Sequence, residues 1–414
     1  MGGTICIFED AGFRKLLPLV YTRPVYELRC GVMTLREKIV RQYQGATHLL
    51  HCRDYLVDVL RQSIPEVPVN QLVGDKCLFI NGRVLTGSDF GRRIPIEGPD
   101  EVYVMGDTVV AARLSGRSLS ELDLSKPLGL DLFSGPRTQI EVDLITYPWD
   151  LIHHNTKQIE EDCGVLASLG RIEGNLDKGV HLLDRSNIYI AEGAFVKAGA
   201  VLDAEEGPIF IDQGAKVLPN AVIEGPVYIG RNSLVRVGAK ILEGTSIGPV
   251  CKVGGEVEES IIHGYSNKQH DGFLGHSYVG MWVNLGAGTT NSDLKNNYGN
   301  VRVWVDGELV DSGSMFVGLT MGDHSKSAIN TSFNTGTVVG IACNIFGSGM
   351  PPKFVPSFSW GGSEGLTTYD PTKGIEVCRK VMARRKVEMT EADAALFRLL
   401  FELTAGERES AGVR

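Results

Sequence analysis

The chain has 414 residues, 43% hydrophobic and 22% charged, a length that points to two or three domains and a composition that excludes a disordered chain. Its formal charge of −9 argues against a broad nucleic-acid or acidic-membrane footprint, which needs clustered Lys and Arg. No stretch approaches the ~18 apolar residues of a membrane span, and residues 1–14 carry Glu9 and Asp10 without a signal-peptide layout, so a cytoplasmic location is expected.

In chain order, apolar runs at residues 5–8, 48–52, 77–80 and 102–105 are separated by helix-like segments at 35–43 and 54–62. This pattern predicts a small α/β domain over residues 1–164. Residues 149–163 carry polar and acidic side chains at helical spacing and form the expected connector. Eight cysteines lie scattered without a C-x-x-C pair and read as buried thiols.

The middle of the chain follows a period of six. Ile211, Val217, Ile223, Ile229, Val235, Ile241, Ile247 and Val253 stand in phase, and a small residue comes four positions after most of them (Ala215, Ala221, Ser233, Ala239, Thr245, Cys251). Neither a helix nor a half-buried strand has that period. A parallel β-helix does, because each short strand stacks its anchor on the coil below and turns a corner at the small residue. This domain is expected over residues 165–350. Beyond Pro351-Pro352, a glycine-rich aromatic stretch leads to helical patterns near 373–385 and 390–403, read as a C-terminal arm over 351–414.

Residues 264–288 read GYSNKQHDGFLGHSYVGMWVNLGAG, with His270 fourteen positions before Asn284 in the run Asn284-Leu285-Gly286-Ala287-Gly288-Thr289. This arrangement, together with Arg236-Val237-Gly238-Ala239 upstream and Met315-Phe316-Val317-Gly318 downstream, resembles the acetyltransferase site of bifunctional N-acetylglucosamine-1-phosphate uridyltransferase/glucosamine-1-phosphate acetyltransferases. The opening FED…LLPL…TRP…LRCG…TLREK run resembles a variant branch of that GlmU family. The resemblance implies a left-handed coil, whereas the usual crossover preference alone would favour a right-handed one. It also implies a homotrimer and acetyl-CoA as co-substrate. His270 is then the base, an imidazole being suited to proton removal near neutral pH. Arg236 and Asn284 hold the amino sugar phosphate, and Gly286, Ala287, Gly288 and Thr289 lie against the acyl-CoA. His263, His276 and His324 are alternatives to His270. Two positions depart from the family: its phosphate-binding Lys falls on Glu258 and its Tyr on Phe273, which leaves Lys252 or Lys268 to supply the missing cation, or else a different acceptor.

At the N-terminus the resemblance implies a sugar nucleotidyltransferase that binds a nucleoside triphosphate. Its glycine-rich phosphate loop is altered here, leaving Arg14, Lys15, Arg23 and Asn81 as the nucleotide-binding candidates. Arg83 occupies the place of the magnesium-binding Asp, so the carboxylate pair for a magnesium ion is not visible. The expected function is acyl-CoA-dependent transfer to an amino sugar phosphate or nucleotide amino sugar such as a precursor of UDP-N-acetylglucosamine. The alternatives are a sugar-1-phosphate nucleotidyltransferase whose β-helix serves oligomerisation or regulation, and a non-catalytic scaffold.

Overall fold

A computed structural model describes residues 2–133 and 135–413. Contacts divide the chain into two units. Residues up to Tyr147 form the first, except that Leu17–Tyr21 and Arg29–Val32 join Pro148 and everything after it in the second.

The first unit is the expected α/β domain. Strands β1 (Thr4–Phe8), β2 (Thr47–Leu50), β3 (Lys76–Asn81), β4 (Glu101–Met105), β5 (Thr108–Ser115) and β6 (Arg137–Gln139) form one sheet in the order β2-β1-β3-β5-β4-β6. β1 runs parallel to β2 and β3, while β5 runs antiparallel to β3 and β4. β3 is buried on both faces beyond its first residue, which suits an unbroken apolar run rather than an alternating one. Helix α1 (Leu35–Gln42) starts at Thr34, whose hydroxyl accepts from the Glu37 amide while the Glu37 carboxylate accepts from Thr34. This reciprocal cap satisfies two otherwise orphaned donors. Asp107, with Gly106, lies in the tight turn between β4 and β5.

The first unit also holds helix α2 (Val57–Ser63); in the second, the long helix α3 (Pro148–Leu166) belongs with the solenoid. Ile159 and Cys163 of α3 pack with Val32 on Phe210 and Tyr228, which stack with Tyr189 as a ladder of rings 4.9 and 5.5 Å apart. Asn155 of α3 fixes the position, accepting from the Gly31 amide at 2.7 Å and donating to the Gly244 carbonyl at 2.7 Å.

The solenoid is a parallel β-helix of three walls. One wall has nine strands, from Ile188–Ile190 to Phe354–Val355; two have six, from His181–Leu183 to Phe273–Gly275 and from Asn175–Leu176 to Asn267–Lys268. All eight anchors of the six-residue repeat are fully buried, as are the small corner residues. At roughly 1.5–3 kcal/mol for each buried aliphatic side chain, this stack is the main cohesive term, since each coil covers only its neighbours. An antiparallel hairpin, Arg302–Val305 with Glu308–Asp311, leaves the solenoid between coils.

Two C-terminal helices follow. α4 (Pro371–Ala383) is capped by Asp370, and α5 (Glu391–Leu403) by a Thr390–Asp393 capping box; a shorter α6 (Ala405–Ser410) follows. All eight cysteines are buried, unpaired thiols. No helix among the described residues is long and apolar enough to cross a membrane.

Candidate functional site

The turn after the strand Asn267–Lys268 places His270 at the mouth of a cavity of about 500 Å³, lined also by Arg236, Gln269, Asp271, Ala287, Gly288 and Asn330. That volume lies in the range of small-molecule sites. His270 is exposed. The other histidines are placed differently: His263 is buried against the Tyr278 hydroxyl at 3.0 Å, and His324 is buried between Trp282 and Phe397. Beneath the turn, the Lys268 ammonium occupies an inward position on the coil, paired in register with Val253. It donates to the carbonyls of His270 at 2.8 Å and Gly254 at 3.0 Å. Burial pushes this lysine down to about 8.

The glycine run is explained largely by the coil itself. The Gly286 amide donates to the Ser327 carbonyl, and the Gly288 amide to the Asp271 carbonyl at 3.0 Å. A Cβ on Gly286 would lie 2.5 Å from the Ala328 backbone, and Gly288 has φ +71°, a region that favours glycine. Thr289 is buried and bonds Ser327 at 2.8 Å. Of the amides in this run, the one at Ala287 has no acceptor among the described residues.

Asn284 does not line the His270 cavity. It pairs across coils with Asn267 and Lys326 and faces an adjacent cavity of about 360 Å³, lined by Lys252, Tyr265, Trp282, Lys326, Arg384 and Arg385 besides the amides. Gln269 is common to both cavities.

Glu258, at the family's lysine position, lies apart from both cavities. One ligand atom from each of Glu258, His276 and Asp293 lies within 4.8 Å of the others, a donor set able to hold a divalent cation. His276 Nδ1 and Asp293 Oδ2 are 2.8 Å apart. Burial and the nearby Asp293 carboxylate push Glu258 up.

In the α/β unit the nucleotide-binding candidates separate. Arg14 and Lys15 are exposed in the short 3-10 helix Ala11–Leu16, and Arg23 is buried. Asn81 is fully buried, and its amide donates to Asp10 and to the Val109 carbonyl, both at 2.9 Å, while its carbonyl accepts from the Arg83 amide. The protein's own network therefore occupies Asn81. Where the phosphate loop is expected, Asp10 forms a two-pronged pair with Arg83, at 2.8 and 2.5 Å. The neighbouring Glu9, fully buried, is clasped by Arg53 at 3.1 and 3.2 Å. A cavity of about 250 Å³ in this unit is lined by residues of β1, β3 and β5, and by none of the four candidates. Among the described residues, no second cluster of three metal-capable side chains occurs.

The sugar nucleotidyl transferase family pattern matches residues 5–170. Over 327 residues the chain is 32% identical to the bifunctional sugar-1-phosphate nucleotidylyltransferase/acetyltransferase of Sulfurisphaera tokodaii, covering 77% of this chain and 69% of that one. The chain belongs to this GlmU-like family of transferases. The bifunctional protein GlmU of Heliobacterium modesticaldum is 28% identical over 171 residues, covering 36% of this chain and 37% of its own. A UDP-N-acetylglucosamine acyltransferase structure from Francisella novicida matches 50% of this chain and 72% of its own at 15% identity and a TM-score of 0.28.

Three features of this family member escape a reading of the sequence. The Glu9–Arg53 and Asp10–Arg83 pairs span 44 and 73 residues, and their only local signal is two acids following a buried strand. Lys326 reaches Asn284 across the hairpin excursion. Arg384 and Arg385 carry no motif, and their place follows from how α4 packs.

Proposed function

We propose that the β-helix transfers an acyl group from acyl-CoA to the amine of a phosphorylated amino sugar, and that the α/β unit is its sugar-1-phosphate nucleotidyltransferase partner. The observation that carries the acyl-transfer reading is the gathering of Arg236, His270 and Ala287 around one cavity. His270 takes the proton from the attacking amine, so that the nitrogen lone pair adds to the thioester carbonyl as the thiolate leaves. The Ala287 N–H is the candidate donor to the carbonyl oxygen as it gains charge. Arg236 pairs with the acceptor's phosphate. Lys268 positions the His270 turn through the backbone and does not itself touch the substrate. A homotrimer in the cytoplasm is part of the same proposal, and the family relation supports it.

The test is thiol release from acetyl-CoA with glucosamine 1-phosphate and nucleotide amino sugars as acceptors, alongside pyrophosphate release from nucleoside triphosphates. Acceptor-dependent thiol release that disappears in His270→Ala supports the reading. Pyrophosphate release with no thiol release from any acceptor would transfer the function to the α/β unit and leave the β-helix an oligomerisation or regulatory module.

A further inference from the structure

The cavity beside the His270 site has an unusual electrostatic character for a protein of formal charge −9. Lys252, Lys326, Arg384 and Arg385 line it, and no carboxylate does. Lys326 donates to the His324 carbonyl at 2.7 Å and Arg385 to the Asn267 side-chain oxygen at 2.6 Å. Neither interaction neutralises charge. The side chains of Lys252 and Arg384 have no hydrogen bond or ion pair among the described residues. Burial pushes Lys252 down, and Arg385, Arg384 and Arg236 push it in the same direction, so these cations sit close enough to repel one another.

Helix ends alone do not account for the cluster. Arg384 and Arg385 follow the C-terminus of α4, where a cation complements the helix dipole, but Lys252 and Lys326 stand on the solenoid wall opposite. Converging cations with no counter-charge raise the free energy of the empty protein, and an anion that binds among them relieves that repulsion. The remaining lining adds to the picture. Asn267, Asn284 and Gln269 supply amides, and Tyr265 stacks on Trp282 with ring centroids 4.3 Å apart. Gln269, adjacent in sequence to His270, is shared with the neighbouring cavity.

We propose that this basic cavity is a phosphate subsite, with Lys252, Lys326 and the two arginines after α4 holding a phosphate group of a ligand that extends past Gln269 to His270. It supplies the positive charge that Glu258 withholds at the family's lysine position. Arginine suits this use through its two-pronged geometry toward phosphate oxygens. The phosphate has two sources, the sugar phosphate acceptor or the nucleotide end of acyl-CoA. Which of them enters rests on the acyl-transfer reading, whereas phosphate binding itself does not.

The experiment is calorimetric titration of the full chain, unaltered and as Lys252→Met/Arg384→Met, with glucosamine 1-phosphate, glucosamine, acetyl-CoA and 3′-dephospho-acetyl-CoA. A loss of at least about tenfold in affinity for glucosamine 1-phosphate, with glucosamine unchanged, assigns the subsite to the acceptor; tenfold is about 1.4 kcal/mol. The same loss for acetyl-CoA, without loss for the 3′-dephospho form, assigns it to the coenzyme. Affinities for all four within twofold of the unaltered protein overturn the proposal. Should the double variant not fold, pyrophosphate added to the unaltered chain at matched ionic strength decides, by the fluorescence change that Trp282→Phe abolishes. Such a change appears if the subsite exists, and its absence overturns it. Because no readout here requires turnover, an inactive protein that binds phosphate in this cavity overturns only the acyl-transfer reading. An active one in which the double substitution changes nothing overturns only the subsite.

Discussion

The α/β unit and the β-helix both confine strongly basic side chains, but they balance them in opposite ways. In the α/β unit Arg53 and Arg83 are buried in two-pronged pairs with Glu9 and Asp10, so the charge is spent inside the protein at the place where a triphosphate loop is expected. On the β-helix, Lys252 and Arg384 face a cavity with no carboxylate. A buried charge is tolerated only when paired, whereas a half-exposed one is stable unpaired and available to a ligand. Arg53 and Arg83 thus serve the fold, whereas the charges of Lys252 and Arg384 are left to solvent or a ligand.

The comparison is broken most directly at His270. If the β-helix is where the chemistry occurs, His270→Ala lowers acceptor-dependent thiol release by roughly 10²–10⁴-fold while the protein unfolds at the same urea concentration. A loss of fold together with activity would remove the exposed histidine from its role. Next in size, Arg53→Met leaves Glu9 buried without its partner and is expected to destabilise the protein by about 3–5 kcal/mol in urea unfolding. Arg53→Met/Glu9→Gln should recover a large part of that loss.

Lys268 gives a pH-dependent test. Its ammonium is lowered from the ordinary lysine value to about 8, so between pH 8 and pH 10.5 the unfolded chain holds the proton that the folded chain has released. Stability from this group therefore rises with pH across that window and is flat below it. Relative to Lys268→Met, the unaltered protein should gain about 3 kcal/mol between the two ends, read by urea unfolding at pH 8 and pH 10.5. A constant difference would show that the ammonium is not confined within the coil. The smallest effect belongs to the arm that carries Arg384 and Arg385. Thr390→Ala removes the cap of α5 and should cost about 1 kcal/mol in the same assay, with glucosamine 1-phosphate affinity unchanged.

Legibility in the sequence differed by the range of the interaction. The eight anchors and their corner residues were readable because a solenoid repeats one local environment, and each anchor is fully buried in the structure. The helices near 373–385 and 390–403 were readable because such patterns are local, and their caps at Asp370 and Thr390 are satisfied within three residues. His270, Arg236 and the Ala287-Gly288 pair were named from a motif, and they line one cavity. Asn284 was named with them but faces the adjoining cavity, since its neighbours are set by which coil stacks above it. The glycines at 286 and 288, expected beside acyl-CoA, answer first to the Ala328 backbone and to a positive φ.

The sequence by itself determined the repeating core, the α/β order ahead of it and the helices behind it, because apolar periodicity and capping act over a few residues and need no knowledge of distant partners. Tertiary structure alone decided the charge balance. Glu9 finds Arg53, Asp10 finds Arg83, and Lys252 and Arg384 find no carboxylate partner among the described residues. Electrostatic pairing depends on distance in space and on exclusion of water, and the length of intervening chain fixes neither.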